Sequence, residues 1–236
     1  MVVISGFRSD ATAEQIARKA SRGTGNSGAY QLMVDLEESG CSAMFFNWNG
    51  TSAGQFASQK GAGAEGIVRS IRRANIQPGF EQLVLVGHSW GGHTLLDVAD
   101  LLKRDPTIDV DLAIGLDASS FSRGERMESL PTNIAKLINY FSDNAFTWGE
   151  WPDELRVRNI SLADPANGFV VDGKPDYASK LSWEAHNAAE WDANVHAAIK
   201  KLVLDLATAA ETTNHRMHGS GGGRRSLESK STPATP

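Results

Sequence analysis

Apolar positions in this chain fall into short continuous runs separated by stretches with a helical period. The run Val2-Val3-Ile4 ends at Gly6 and precedes residues 12–20, where Thr12 and Gln15 have the spacing of a helix capping box. A strand leading into a helix is expected there. Residues 29–38 form the next expected helix, 43–48 an aromatic strand and 63–74 a helix with Ile67 and Ile71 on a different face from its arginines. Residues 82–86 then form an unbroken apolar strand of the kind that parallel sheets bury on both faces, followed by a helix over 94–103. Further strands are expected at 111–116 and 134–141, and a long amphipathic helix at 187–206 carries Val195, Ile199, Leu202 and Leu206 on one stripe. Strands alternating with helices predict an α/β fold, a mostly parallel sheet covered by helices on both faces.

The alternation loosens between 119 and 184, which reads as an irregular insertion with the character of a lid. Trp148 and Trp151 lie in it, as part of an acyl-binding wall or as ordinary core contacts. From Glu211 the chain turns polar and glycine-rich, too poor in apolar surface to offset the entropy of ordering. One domain over 1–210 and a disordered tail over 211–236 are therefore expected. With 41% hydrophobic residues, 22% charged residues and a net charge of -5, the composition is that of a soluble protein without the basic excess of a nucleic-acid binder. No apolar run reaches 18 residues and the N-terminal run is too short for a signal-peptide core, so a cytoplasmic location and no transmembrane segment are expected. Cys41 is the single cysteine, which leaves no internal disulfide or cysteine-based metal site and suits a small buried apolar residue.

The chemistry concentrates at Gly87-His88-Ser89-Trp90-Gly91. A serine hydroxyl is a weak nucleophile, so an enzyme must expose it, give it a base and place donors where an oxyanion forms. Strand 82–86 immediately before this pentapeptide and helix 94–103 immediately after it are the context of a nucleophile elbow, where glycines two positions either side let strand and helix approach. A tight turn around a buried serine is the competing reading. Two other glycine-rich segments, Gly23 to Gly28 and Gly61 to Gly66, satisfy the dinucleotide-binding spelling but neither follows a strand directly, and both read as loops. No metal-ligand spacing occurs, and no cofactor or metal is expected.

From the elbow onward, over nearly all of the ordered chain, the sequence resembles the α/β-hydrolase family, specifically its lipase- and esterase-like serine hydrolases. The family usually has strands before the first one found here, so a minimal or N-terminally short member is expected. The resemblance implies the chain order serine, acid, histidine. Gly115-Leu116-Asp117-Ala118 resembles the Gly-Leu-Asp-Pro-Ala segment that carries the acid in pancreatic-type lipases, without its proline. Asp143, after the strand ending at Phe141, is the alternative acid, with Asp164 third. For the histidine, His88 lies in the elbow, His93 in the following helix, and His215 and His218 in the tail. His186, in a loop before the last helix, fits the family pattern, whereas His196 lies within that helix as a surface or packing residue. The oxyanion donors implied are the backbone N–H groups of Trp90 and Phe7, the latter in Ser5-Gly6-Phe7, which is similar to the family's His-Gly-Phe with Ser5 in place of histidine. The implied function is hydrolysis of a small-molecule carboxylic ester through an acyl-enzyme on Ser89. Thioester, amide or lactone substrates, or a catalytically silent binding protein on the same fold, are the alternatives.

Overall fold

Short β-branched and aromatic runs form the strands here, because their side chains pack well on a pleated surface buried from both sides. The computed structural model describes residues 1–6, 28–48, 63–75, 82–119, 129–152 and 155–219, with side chains to residue 210. Its elements are β1 (Val2–Ser5), α1 (Gly28–Glu37), β2 (Met44–Asn47), α2 (Ala64–Asn75), β3 (Val84–His88), α3 (Trp90–Leu102), β4 (Leu112–Leu116), β5 (Leu137–Phe141), β6 (Val157–Ser161), a short 3-10 turn (Pro165–Asn167), α4 (Trp183–Trp191) and α5 (Ala193–Gly219). The expected helix at 12–20 lies outside the described residues.

All six strands are parallel, in the order β2-β1-β3-β4-β5-β6. Side chains alternate across the sheet and build two cores. Val2, Ile4, Leu85 and Ala113 pack against Ile67 and Ile71 of α2 and Leu95, Leu96 and Ala99 of α3. Val3, Val86, Ile114 and Ile138 face Leu32 and Leu36 of α1, Ala185 and Ala189 of α4, and Val195 and Ile199 of α5 on the other side. The expected α/β architecture with both faces covered is the observed one. Strand order reverses between β1 and β3, so their loops leave in opposite directions and open a crevice at the carboxyl edge.

Four details differ from the sequence expectation. The fifth strand is shorter than 134–141, with Ile134 contributing only an isolated bridge to Val110. An additional strand, β6, lies within the segment read as irregular; Arg158 and Asn159 interrupt its apolar pattern, which an edge position tolerates. The helix expected at 187–206 is two helices. Asp192 Oδ1 accepts the N–H groups of Asn194 and Val195 and so caps α5, while its Oδ2 accepts the hydroxyl of Tyr177, and this breaks the helix behind Trp191. Finally, α5 runs on to Gly219, past Glu211 where the tail was expected to begin.

Trp148 and Trp151 are buried core residues in edge contact, with ring centroids 5.2 Å apart. Cys41 is half-buried at the margin of the second core. Among the described residues no helix is long and apolar enough to cross a membrane.

Helix α3 sits so close to the sheet that a Cβ on Gly91 would strike the carbonyl oxygen of Ile4 and come within 2.9 Å of that of Ser5. Neither backbone atom can yield as a side chain could. Gly91→Ala should lower the unfolding free energy by about 1–3 kcal/mol, measured by urea denaturation. An unchanged midpoint would contradict this close approach.

Candidate active site

Ser89 follows β3 directly and holds φ 53° and ψ −128°, a conformation that costs a non-glycine residue on the order of 1–3 kcal/mol. The surrounding backbone imposes it. The Ser89 N–H donates to Leu116 O at 3.2 Å, and its carbonyl accepts the N–H groups of Gly92 and Ser119, both at 2.9 Å. Glycine at position 6 is required by the same turn, since a Cβ there would lie 2.6 Å from Ser89 Cβ. Gly6, directly after β1, therefore lies against the serine, at the crevice where strand order reverses.

Asp117 occupies the equivalent position one strand over, just beyond β4, also at positive φ (41°). Its N–H donates to Tyr140 O at 2.8 Å, and its carboxylate has no exposed surface. Three donors satisfy that carboxylate: Ser142 N–H (2.9 Å) and Oγ–H (2.8 Å) reach Oδ1, and His186 Nδ1 reaches Oδ2 at 2.7 Å. An ionised carboxylate can only accept, so Nδ1 carries the imidazole proton and Nε2 of the neutral ring is an acceptor. Nε2 lies 2.9 Å from Ser89 Oγ, which makes the serine hydroxyl its donor. Ser119 Oγ stands 3.3 Å from Ser89 Oγ on another side.

The structure thus brings together Ser89, Asp117 and His186 in one hydrogen-bonded chain. His186 occupies the first turns of α4 and not a loop. Ser182 caps that helix by accepting the N–H of Ala185, and the break at Asp192 separates it from α5. Asp143 is exposed, and its N–H donates to Tyr177 O. Asp164 caps the 3-10 turn through the N–H of Ala166. His196 is a packing residue, 2.8 Å from Glu190 O and 3.5 Å from Asp35. Trp90 opens α3, so its N–H belongs to the first-turn amides outside the helical ladder. Phe7 lies outside the described residues.

Several residues at the site carry no signal strong enough for sequence reasoning to have named them. Ser142 is one of three consecutive polar residues after β5, and only the fold shows which faces Asp117. His88 packs its ring on His186, with centroids 4.9 Å apart and planes 28° from parallel. Burial holds His88 far below the usual imidazole range, at about 3, so it is neutral. Glu190, one helical turn beyond His186, is fully buried, and burial pushes its carboxyl up to about 8 against the pull of the Ala29 N–H. A glutamate on the apolar face of a helix was the available clue. Tyr177 is held protonated by burial and by Asp192, to which it donates at 3.0 Å.

On the outer side, Trp183 meets His186 edge-on at 5.6 Å and stacks on Phe146 at 5.4 Å. Chemically, the arrangement can draw a proton from Ser89 and hold it on an imidazole whose charge a buried carboxylate balances. No family model matches the chain, and no curated protein is significantly similar to it.

The short, buried Asp117–His186 contact should give a far-downfield proton NMR signal for the His186 Nδ1–H. Asp117→Asn should abolish or strongly shift it, while Asp143→Asn leaves it in place. Loss on the Asp143 change alone would contradict the geometry.

Proposed function

We propose that this chain is a serine hydrolase of α/β-hydrolase type that cleaves carboxylic esters through an acyl-enzyme on Ser89. The observation that carries the reading is the chain of contacts from Ser89 Oγ through His186 to Asp117, at 2.9 Å and 2.7 Å, on a serine held at positive φ. A buried serine in an ordinary turn needs neither the strained backbone nor an imidazole oriented by a buried carboxylate. A silent binding protein would gain nothing from keeping all three groups in register.

In the proposed reaction, Ser89 Oγ attacks the ester carbonyl carbon while its proton passes to His186 Nε2. Asp117 stabilises the resulting imidazolium and fixes the ring. The tetrahedral oxyanion takes a donor from the Trp90 N–H. Collapse breaks the bond to the alcohol oxygen, which leaves with the proton from His186. Water then attacks the acyl-enzyme, giving up its proton to the same nitrogen, and the carboxylic acid departs as Ser89 is regenerated.

An apolar substrate group fits the surroundings. Trp183 and Leu181 are 59% and 66% exposed, and Trp183 flanks His186. Solvent-exposed aromatic surface beside a reactive imidazole favours aryl or alkyl esters over charged ones.

Hydrolysis of p-nitrophenyl esters tests the proposal. Ser89→Ala and His186→Ala should each lower kcat by roughly 10⁴-fold or more, and Asp117→Asn by about 10⁴-fold. Asp143→Asn should stay within about twofold of wild type, as a change to an exposed side chain does. Full activity in folded Ser89→Ala would overturn the assignment.

A further inference from the structure

We propose that His88 and Glu190 are a buried positioning pair for His186, in which protonated Glu190 fixes the tautomer of His88 and His88 ties down the backbone of His186. The inference rests on the hydrolase reading for its kinetic consequence, but its geometry stands apart from it.

The proton assignment follows from the acceptors. His88 Nε2 lies 3.3 Å from the carbonyl oxygen of His186, which can only accept, so Nε2 must carry the hydrogen. In a neutral imidazole Nδ1 is then a bare lone pair, and this buried atom has no hydrogen-bond partner at standard length. Facing it at 3.7 Å is Oε1 of Glu190, while the other carboxyl oxygen, Oε2, is buried without a hydrogen-bond partner. A bare lone pair in a dry interior is costly, and a shift of about half an ångström brings Oε1 within hydrogen-bond reach of Nδ1. The bond exists only if Glu190 holds a proton to donate. The same Oε1 accepts the N–H of Ala29 at 3.2 Å, tying the start of α1 to this oxygen. Burial favours the protonated acid, which ionises at about 8.

Other titratable or charged groups around the pair, among the described residues, are few. His186 and Asp117 lie beyond His88. His196 reaches Glu190 from α5 through its backbone oxygen and faces Asp35 of α1. When Glu190 loses its proton to solvent, the new carboxylate can only accept. His88 must then move its own proton from Nε2 to Nδ1 to meet it, which turns a lone pair toward the His186 carbonyl. The tether on His186 becomes a repulsion. Because that helical turn carries the imidazole between Ser89 and Asp117, loss of the tether lowers turnover more than substrate binding.

Glu190→Gln separates this role from simple packing. Its amide nitrogen in the place of Oε1 can donate to His88 Nδ1, at the expense of the Ala29 contact, and it cannot ionise. With p-nitrophenyl esters from pH 6 to 9.5, wild-type kcat should fall above about pH 8 with KM nearly constant. Glu190→Gln should lack that limb, so the ratio of variant to wild-type kcat rises by up to about tenfold per pH unit. In parallel, the His186 Nδ1–H signal should shift or broaden across pH 8 in wild type and not in the variant. Matching alkaline limbs, or matching pH responses of the signal, would overturn the proposal. If wild type turns over no ester, the hydrolase reading fails while the NMR titration still decides this one. His88→Phe keeps a ring against His186 and removes its N–H, providing a second route if Glu190→Gln does not fold. A fall in kcat on the order of tenfold or more at constant KM is expected, and an unchanged kcat would overturn the tether.

Discussion

A carboxylate with no exposed surface organises the carboxyl edge of this sheet. An unpaired charge there would cost several kcal/mol, so Asp117 needs donors from wherever the fold can supply them. Ser142 supplies two from the end of β5, and His186 supplies the third from α4. These contacts join the middle of the sheet to the helical layer that covers one face. They also decide the direction of His186: with Nδ1 committed to Asp117, Nε2 must point outward, and Ser89 lies there. Satisfying one buried charge therefore leaves the second ring nitrogen facing the Ser89 hydroxyl.

The serine is held by a separate constraint. Its carbonyl takes the N–H groups of Gly92 and Ser119, and its N–H reaches Leu116. Those bonds tie the elbow to the same β4 edge that carries Asp117. Backbone strain at Ser89 and at Asp117 sits on adjacent strands, where flanking hydrogen bonds offset it. Behind the imidazole, the neutral His88 ring fills space that a charged group would have to desolvate. Polar and apolar packing thus share the task of fixing one ring.

Much of this was legible in the sequence for particular reasons. The run from Leu83 to Val86 is apolar enough to read as a buried strand, and a serine between glycines directly after it has the spacing of an elbow. Asp117 was readable because an equally apolar strand ends just before it, and the sequence favoured it while leaving Asp143, after the next strand, as the alternative; in the fold the contact with His186 belongs to Asp117, and Asp143 is exposed. His186 was picked out by chain order, but its helix was missed because Asp192 ends that helix through a side-chain cap that looks, in sequence, like one more surface aspartate. Strand β6 was missed since an edge strand need not be apolar. The pairing of His88 with Glu190 depends on how α4 docks against β3 and α1, a tertiary fact with no local signature.

The central claim is that Ser89 is an activated nucleophile. Treating the folded protein with a fluorophosphonate and locating the adduct by mass spectrometry tests it most directly, since the reagent traps a serine whose proton a base has taken. The account predicts a single stoichiometric adduct on Ser89, absent in Ser89→Ala and greatly slowed in His186→Ala. Folded protein that remains unlabelled, or that carries the adduct on another residue, would contradict it.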